Sequence, residues 1–353
     1  MPVERVLLAS PRGFCAGVEK AIKALAWMVR VFEPPVYCYH EIVHNRHVVD
    51  QFRAQGVVFV DDVDEVPPGA PLMLSAHGSA PEVVLAARTQ GRTVVDAVCP
   101  LVTKVHHELK VRARKGYTVL YVGHQGHEEA VGTMAVAPDA VHLVQSEPDV
   151  DALAGRLAAG SAVALLAQTT LSHDEWAGIM ARARRQFPDL WMPNRSDLCF
   201  ATTNRQAALK AIAGKADAVV VIGSENSSNT RALEQVARAS CPRVLRVNGA
   251  DELPGDLEGT VGLTAGASAP EALVDEVLDR LAPRLGIEVV HVTDEDEYFP
   301  PPPELRDLLR GLAGALGLGL GAPAPGPAEV ESGGQVADRL VSAAEVLAGL
   351  VRE

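Results

Sequence analysis

VERVLLASPRGFCAGVEKAIKALAWMVRVF, Val3 to Phe32, begins as an apolar run and ends in a helical pattern. The run VERVLLAS, closed by Pro11 and Gly13, reads as a buried strand. Beyond it, Val18, Ile22, Leu25, Met28, Val29 and Phe32 recur at helical spacing. Cys15 therefore falls in a strand-to-helix turn, at the positive end of a helix dipole. A thiolate is favoured there, as a nucleophile or as a metal ligand. Gly13 and Gly17 allow a sharp turn and the approach of something bulky. A small cysteine buried in a tight turn would fit the same residues.

The same grammar recurs. VYCY, PLMLSAH, RTVVDAVC, TVLYVGH, AVALLAQTT, ADAVVVIGS and TVGLTAG read as buried parallel strands, most of them leading into a helical pattern. This is α/β architecture, in which ligand sites form at the carboxyl ends of the strands. Cys99 closes one strand and precedes Pro100, a residue suited to a first helical turn. Cys199 lies in DLCFATTNRQ, where Thr203 and Gln206 have capping-box spacing. The gaps between the three cysteines, 84 residues (99 − 15) and 100 residues (199 − 99), suggest three similar α/β units. Their boundaries are expected at 1–98, 99–198 and 199–300, with a C-terminal arm over 301–353. Three converging thiolates could hold zinc, an iron–sulfur cluster, or nothing; the close ligand pairs of zinc sites are missing. Cys38 and Cys241 read as structural.

Polar residues collect at the strand ends. His44 in EIVHNRH, His77 in SAHG, and His124 and His127 in GHQGHEEA suit an anionic ligand. GSENSSNT follows a strand and opens a helix, so Ser227, Ser228 and Asn229 stand beside free backbone N–H groups suited to phosphate. Ser268 in TAGASAP repeats that arrangement. SAPE occurs at Ser79–Glu82 and Ser268–Glu271, each time with the spacing of a capping box. Thr169 and Thr170 close another strand, and Ser172 with Glu175 caps the next helix. No G-x-x-x-x-G-K-[ST] or G-x-G-x-x-G pattern points to a nucleotide.

The 353 residues carry a net charge of −13, which argues against a nucleic-acid surface. No apolar run approaches the length of a membrane span, and no opening stretch has the order of a signal peptide. Five cysteines without regular short spacing do not form a disulfide framework. A cytoplasmic protein with reduced thiols is expected.

PRGFCAGV, EIVHNRHVV, SAHG, DAVCPLVTKVH, GHQGHEEAVGT, QTTLS, CFATTNRQ, GSENSSNT and TAGASAP together resemble the 4-hydroxy-3-methylbut-2-enyl diphosphate reductases. These are the last enzymes of the methylerythritol phosphate route to isoprenoids. The resemblance runs from about residue 5 to residue 306, in family order. It implies three α/β units in a pseudo-threefold trefoil around one central [4Fe–4S] cluster per subunit, held by Cys15, Cys99 and Cys199. It places His44, His77, His127, Ser227, Ser228, Asn229 and Ser268 on the substrate diphosphate. Glu129 takes the place of the family's proton-delivering carboxylate, and Thr169 that of a threonine near the substrate hydroxyl. Glu128 stands at a position that varies in the family, so Glu128→Gln is expected to be nearly silent.

Two spare cysteines cannot hold a second cubane cluster, and no flavin motif is visible. Electrons are expected from an external ferredoxin or flavodoxin. A dehydratase or a quinolinate-synthase-like enzyme would also use three cysteines, and a non-catalytic redox sensor would have no need of diphosphate donors beside a glutamate. Past about Arg310 the resemblance ends. Residues 311–334, rich in Gly, Ala and Pro, read as a flexible linker. Helical spacing resumes at Val336, Leu340, Ala343, Leu347 and Leu350. That stripe is expected to dock, away from the mouth of the site.

Overall fold

The computed structural model describes residues 3–158, 160–319 and 338–350. The chain opens with β1 (Val3–Ser10) and α1 (Ala16–Val31). Next come β2 (Val36–Tyr39), α2 (Arg46–Ala54), β3 (Val57–Val60), β4 (Leu72–Leu74), α3 (Pro81–Thr89) and β5 (Val94–Asp96), whose strands form a four-stranded sheet ordered β3-β2-β4-β5. Then α4 (Pro100–Arg114), β6 (Thr118–Val122), α5 (Glu128–Val136), β7 (Val141–Val144), α6 (Glu147–Ala154), β8 (Val163–Ala167) and α7 (His173–Gln186) build a three-stranded sheet, β7-β6-β8. The last sheet has five strands. It is drawn from α8 (Phe200–Ala213), β9 (Ala218–Ile222), α9 (Ser228–Arg238), β10 (Val244–Val247), β11 (Gly259–Ala265), α10 (Glu271–Leu281) and β12 (Ile287–His291), in the strand order β10-β9-β11-β1-β12. All these pairings are parallel. α11 (Pro303–Gly319) and α12 (Ala343–Leu350) close the described chain. No helix among the described residues is long and apolar enough to cross a membrane.

The sheets correct one boundary. β1 does not belong with residues 1–98; it lies between β11 and β12, with Leu7 opposite both Gly262 and Glu288. Val6, Leu7, Leu8 and Ala9 are all buried, so β1 needs cover on both faces: Val6 and Leu8 pack under α10, Leu7 and Ala9 under α8. α1 then crosses to the four-stranded sheet, where Ile22 and Leu25 join Cys38, Met73 and Val95 in one core. The chain changes sheet in this way three times. After β5, α4 carries Val105 and Leu109 onto Val119 and Tyr121 of the three-stranded sheet. After α7, α8 carries Leu209 and Ile212 onto Leu7, Val219 and Val221 of the five-stranded sheet. The residues at these three seams are Cys15, Cys99 and Cys199, each the N-cap of the crossing helix.

The arm also departs from expectation. Residues 311–319 continue α11 instead of starting a linker, with Leu305 buried and Leu308 and Leu309 packed on the α1 core. The rest of the expected linker, and Val336, lie outside the described residues. α12 buries Ala343, Leu347 and Leu350 in the α1 core, while Leu340 faces solvent. Glu19 of α1 accepts the Ala343 N–H at 2.8 Å, and Gln55 Nε2 donates to the Leu350 carbonyl at 2.8 Å. So this stripe docks on its own chain. It docks nearer the site than expected: Arg339 to Ser342 border a cavity that also touches Phe200 and Phe299, both of which line the cysteine cavity.

Candidate active site

Each seam is built alike. The Cys15 N–H donates to the Ala267 carbonyl at 3.1 Å, Cys99 to Ala76 at 3.0 Å, and Cys199 to Thr169 at 3.0 Å. Each cysteine carbonyl then accepts the first helical bond, from Glu19, Thr103 and Thr203. All three thiols thus sit on helix N-termini and line one cavity. Burial, ahead of the neighbouring Cys15, pushes the Cys99 and Cys199 thiols up to about 12. Thiols in such surroundings ionise when a cation is placed against them. Gly17 keeps the space between two of them open: a Cβ there would lie 2.9 Å from Cys99 Sγ and 3.9 Å from Cys15 Sγ. Three convergent thiols and a bare backbone wall fit an iron–sulfur group. Cys38 and Cys241 are buried elsewhere, in cores.

The same cavity takes in Glu129, Thr169, His44, His77, His127, Ser227, Ser228, Asn229 and Ser268, but not His124, which pairs with Glu175 at 3.2 Å instead. Glu129 is buried on the first turn of α5, and its carboxylate accepts the Thr169 N–H at 2.7 Å and the Thr169 hydroxyl at 2.9 Å. Burial outweighs those two bonds and raises its pKa to about 7. A carboxyl poised near neutrality suits a general acid. Three imidazoles line another part of the cavity. His44 stacks on His77 with ring centroids 4.0 Å apart, and His127 meets both edge-on. Burial holds His77 well below the ordinary imidazole value and lowers His127 to about 3. His77 Nε2 is buried with no hydrogen-bond partner among the described residues.

The serine and asparagine side chains also join loops. Ser227 caps α9, its Oγ accepting the Thr230 N–H. Gln168 Nε2 donates to Ser228 Oγ at 3.0 Å, and Asn229 Oδ1 accepts the Ala267 N–H at 2.8 Å. Ser268 donates to the His44 carbonyl at 2.9 Å and does not cap α10, whose N-cap is Pro270. The SAPE capping boxes therefore do not form; at the first copy the N-cap is Ala80. Thr203 likewise yields its expected cap to Cys199, whose Sγ accepts the Thr202 N–H at 3.2 Å, while Gln206 ties α8 to Leu171 and His173. Ser172 does cap α7, accepting the Glu175 N–H.

Several residues of the site escaped the sequence reading. Arg205 is fully buried: its guanidinium donates to the carbonyls of Gly13, Phe14 and Ala201 and pairs with Glu295 at 2.9 Å. It pins the Cys15 turn to the Cys199 helix. Its position was legible, because 202, 205, 206 and 209 fall on one helical face with buried residues. Gln168 was also passed over, and Glu128 was named only as a variable position expected to be nearly silent. Glu128, with His44 and His77, offers ligand atoms within 4.8 Å of one another.

The family model for LytB protein matches residues 6–282. The chain belongs to the LytB family. It is 46% identical over 307 residues to the 4-hydroxy-3-methylbut-2-enyl diphosphate reductase of Rhodopirellula baltica, covering 86% of this chain and 96% of that protein. It is 49% identical over 310 residues to the Mycolicibacterium paratuberculosis enzyme of the same name, covering 86% and 92%. The solved structure of the E-1-hydroxy-2-methyl-but-2-enyl-4-diphosphate reductase from Plasmodium falciparum matches with a TM-score of 0.85 at 31% identity, over 88% of this chain and 99% of that one. This LytB chain thus shares its parallel α/β architecture with reductases of known structure.

Proposed function

We propose that this LytB chain reductively dehydroxylates (E)-4-hydroxy-3-methylbut-2-enyl diphosphate to isopentenyl and dimethylallyl diphosphate, the terminal step of the methylerythritol phosphate pathway. The reading is supported most by Glu129, a buried carboxyl of pKa about 7 that shares one cavity with three thiols and a set of anion donors. The three sheets, each joined to the next at a cysteine, suit a pseudo-threefold trefoil around one [4Fe–4S] cluster held by Cys15, Cys99 and Cys199. When bound, that cluster supplies electrons singly and, with three protein thiolates, one iron open to the substrate oxygen.

The chain's own residues do the rest. Ser227, Ser228, Asn229 and Ser268, with His44, His77 and His127, hold the diphosphate and so fix the allylic end of the substrate. The net change is two electrons and two protons in, one water out. Glu129 gives a proton to the departing hydroxyl oxygen, directly or through the Thr169 hydroxyl that it accepts. The second proton goes to either end of the allyl group, which accounts for two products. Electrons come from a ferredoxin or flavodoxin, and five free cysteines suit a reducing cytoplasm. Anaerobically purified protein, given the hydroxylated diphosphate and a chemical reductant, should release both isomers and water. A protein that binds iron but leaves the substrate unchanged under those conditions would refute the assignment.

A further inference from the structure

Glu128 has no part in the chemistry above, yet its carboxylate faces inward among imidazoles. Glu128 Oε2 lies 3.8 Å from His77 Nε2, and Oε1 lies 3.9 Å from His40 Nδ1. Both Glu128 Oε2 and His77 Nε2 are buried atoms without hydrogen-bond partners among the described residues. His40, on the far side, reaches Asp61 at 3.5 Å, and that carboxylate is almost fully exposed. His40 is held at φ 57, a left-handed conformation uncommon outside glycine. Asp61, His40, Glu128 and His77 thus run from solvent to the anion cavity, spaced for ion pairs or single bridging waters.

This row resolves a conflict in the site. A diphosphate needs positive partners, but burial keeps His77 neutral, and the imidazoles of His44, His127 and His40 add to that effect. His106 of α4, against Gly78, is neutral for the same reason. Among the described residues, Glu128 is the carboxylate within ion-pair distance of His77. Burial, ahead of its neighbours, raises the Glu128 carboxyl above its ordinary value; His44 and His40 favour its charge, and Glu41 and Asp61 oppose it.

We propose that Glu128 is the counter-ion of His77: diphosphate arriving on the histidines draws a proton onto His77, and Glu128, backed by His40, holds it there. Glu128 is then a positioning residue acting through His77, and it makes anion binding proton-linked. The inference rests on the functional reading above, and its test separates the two. The binding of inorganic diphosphate to cluster-loaded protein is measured by calorimetry in two buffers of different protonation enthalpy. Wild type should take up more protons on binding than Glu128→Gln does. The variant should bind about tenfold more weakly, the equivalent of about one pKa unit lost at His77. Glu128→Asp should restore part of the uptake, and His40→Asn should lose part of it. Equal affinity and equal uptake in wild type and Glu128→Gln would overturn the inference, as would tighter binding by the variant. So would affinity that appears only with added Zn2+, which would give His44, His77 and Glu128 to a cation. Wild type that fails to bind diphosphate would overturn the reading of the cavity, and this inference with it.

Discussion

At the three seams the backbone repeats itself: a strand-end carbonyl receives the cysteine N–H, and the cysteine carbonyl starts a helix. The loops that supply those carbonyls do not repeat. Beside Cys15 the loop goes on to Ser268, beside Cys99 to His77, and beside Cys199 the acceptor Thr169 is itself bonded to Glu129. The first region is regular and suits a group that is itself symmetrical. The second differs in every loop and suits a substrate with an anionic end and a reacting end. On the proposed reading, the seams secure the cofactor and the loops orient what reacts on it.

The comparison breaks most visibly at the seams. Replacing Cys15, Cys99 or Cys199 singly by Ser should abolish turnover, and the three variants should be alike. Cys38→Ser and Cys241→Ser should keep both turnover and visible absorbance. A retained activity in one seam variant would mean that the seams are not equivalent.

On the loop side, Glu129→Gln should keep the cluster absorbance and lose about 10² to 10⁴-fold in turnover, the usual worth of a general acid. Because burial raises Glu129 to about 7, its acid form is present below that pH. Wild-type turnover should therefore fall as the pH rises past about 7, and the variant should lack that limb. A loss of absorbance in Glu129→Gln would blur the division between the two regions.

Gly17→Ala probes the seam wall more gently. The added methyl would press on Cys99 Sγ, so reconstituted iron should drop severalfold while the thermal melt of the apoprotein changes little. The smallest effect on chemistry is expected furthest out. Leu347→Asp buries a charge against α1, so α12 should undock, the amides of residues 343–350 should exchange fast, and turnover with a chemical reductant should persist. Slow exchange in that variant would contradict the packing of α12.

These differences also explain what the sequence disclosed. β1, β6, β8, β9 and β11 are buried along most of their length and stand out as apolar runs. β3, β7, β10 and β12 sit at sheet edges; His142, Arg246 and Glu288 break up β7, β10 and β12, whereas VVFV of β3 is an apolar run that was passed over. The sheet joined by β1 could not be read, because pairing 250 residues away leaves no local pattern. The site residues were legible as motifs, since cysteine, histidine and serine beside glycine are conspicuous. The positions of Arg205 and Glu128 could be read but their roles could not, because surface-type residues betray burial only through the partners that the fold brings to them. The capping boxes failed for a related reason: Ser268 is held by donating to the distant His44 carbonyl, and the helices start at Pro270 and Ala80 instead.

The central claim is that three equivalent seams hold one four-iron group. Iron and acid-labile sulfide should be counted in anaerobically reconstituted protein, alongside the three single seam variants. The account predicts about four irons and four sulfides per chain in wild type, and a similar deficit in Cys15→Ser, Cys99→Ser and Cys199→Ser. Wild-type protein that held a single metal ion without sulfide, or kept its full iron after loss of any one of these cysteines, would contradict it.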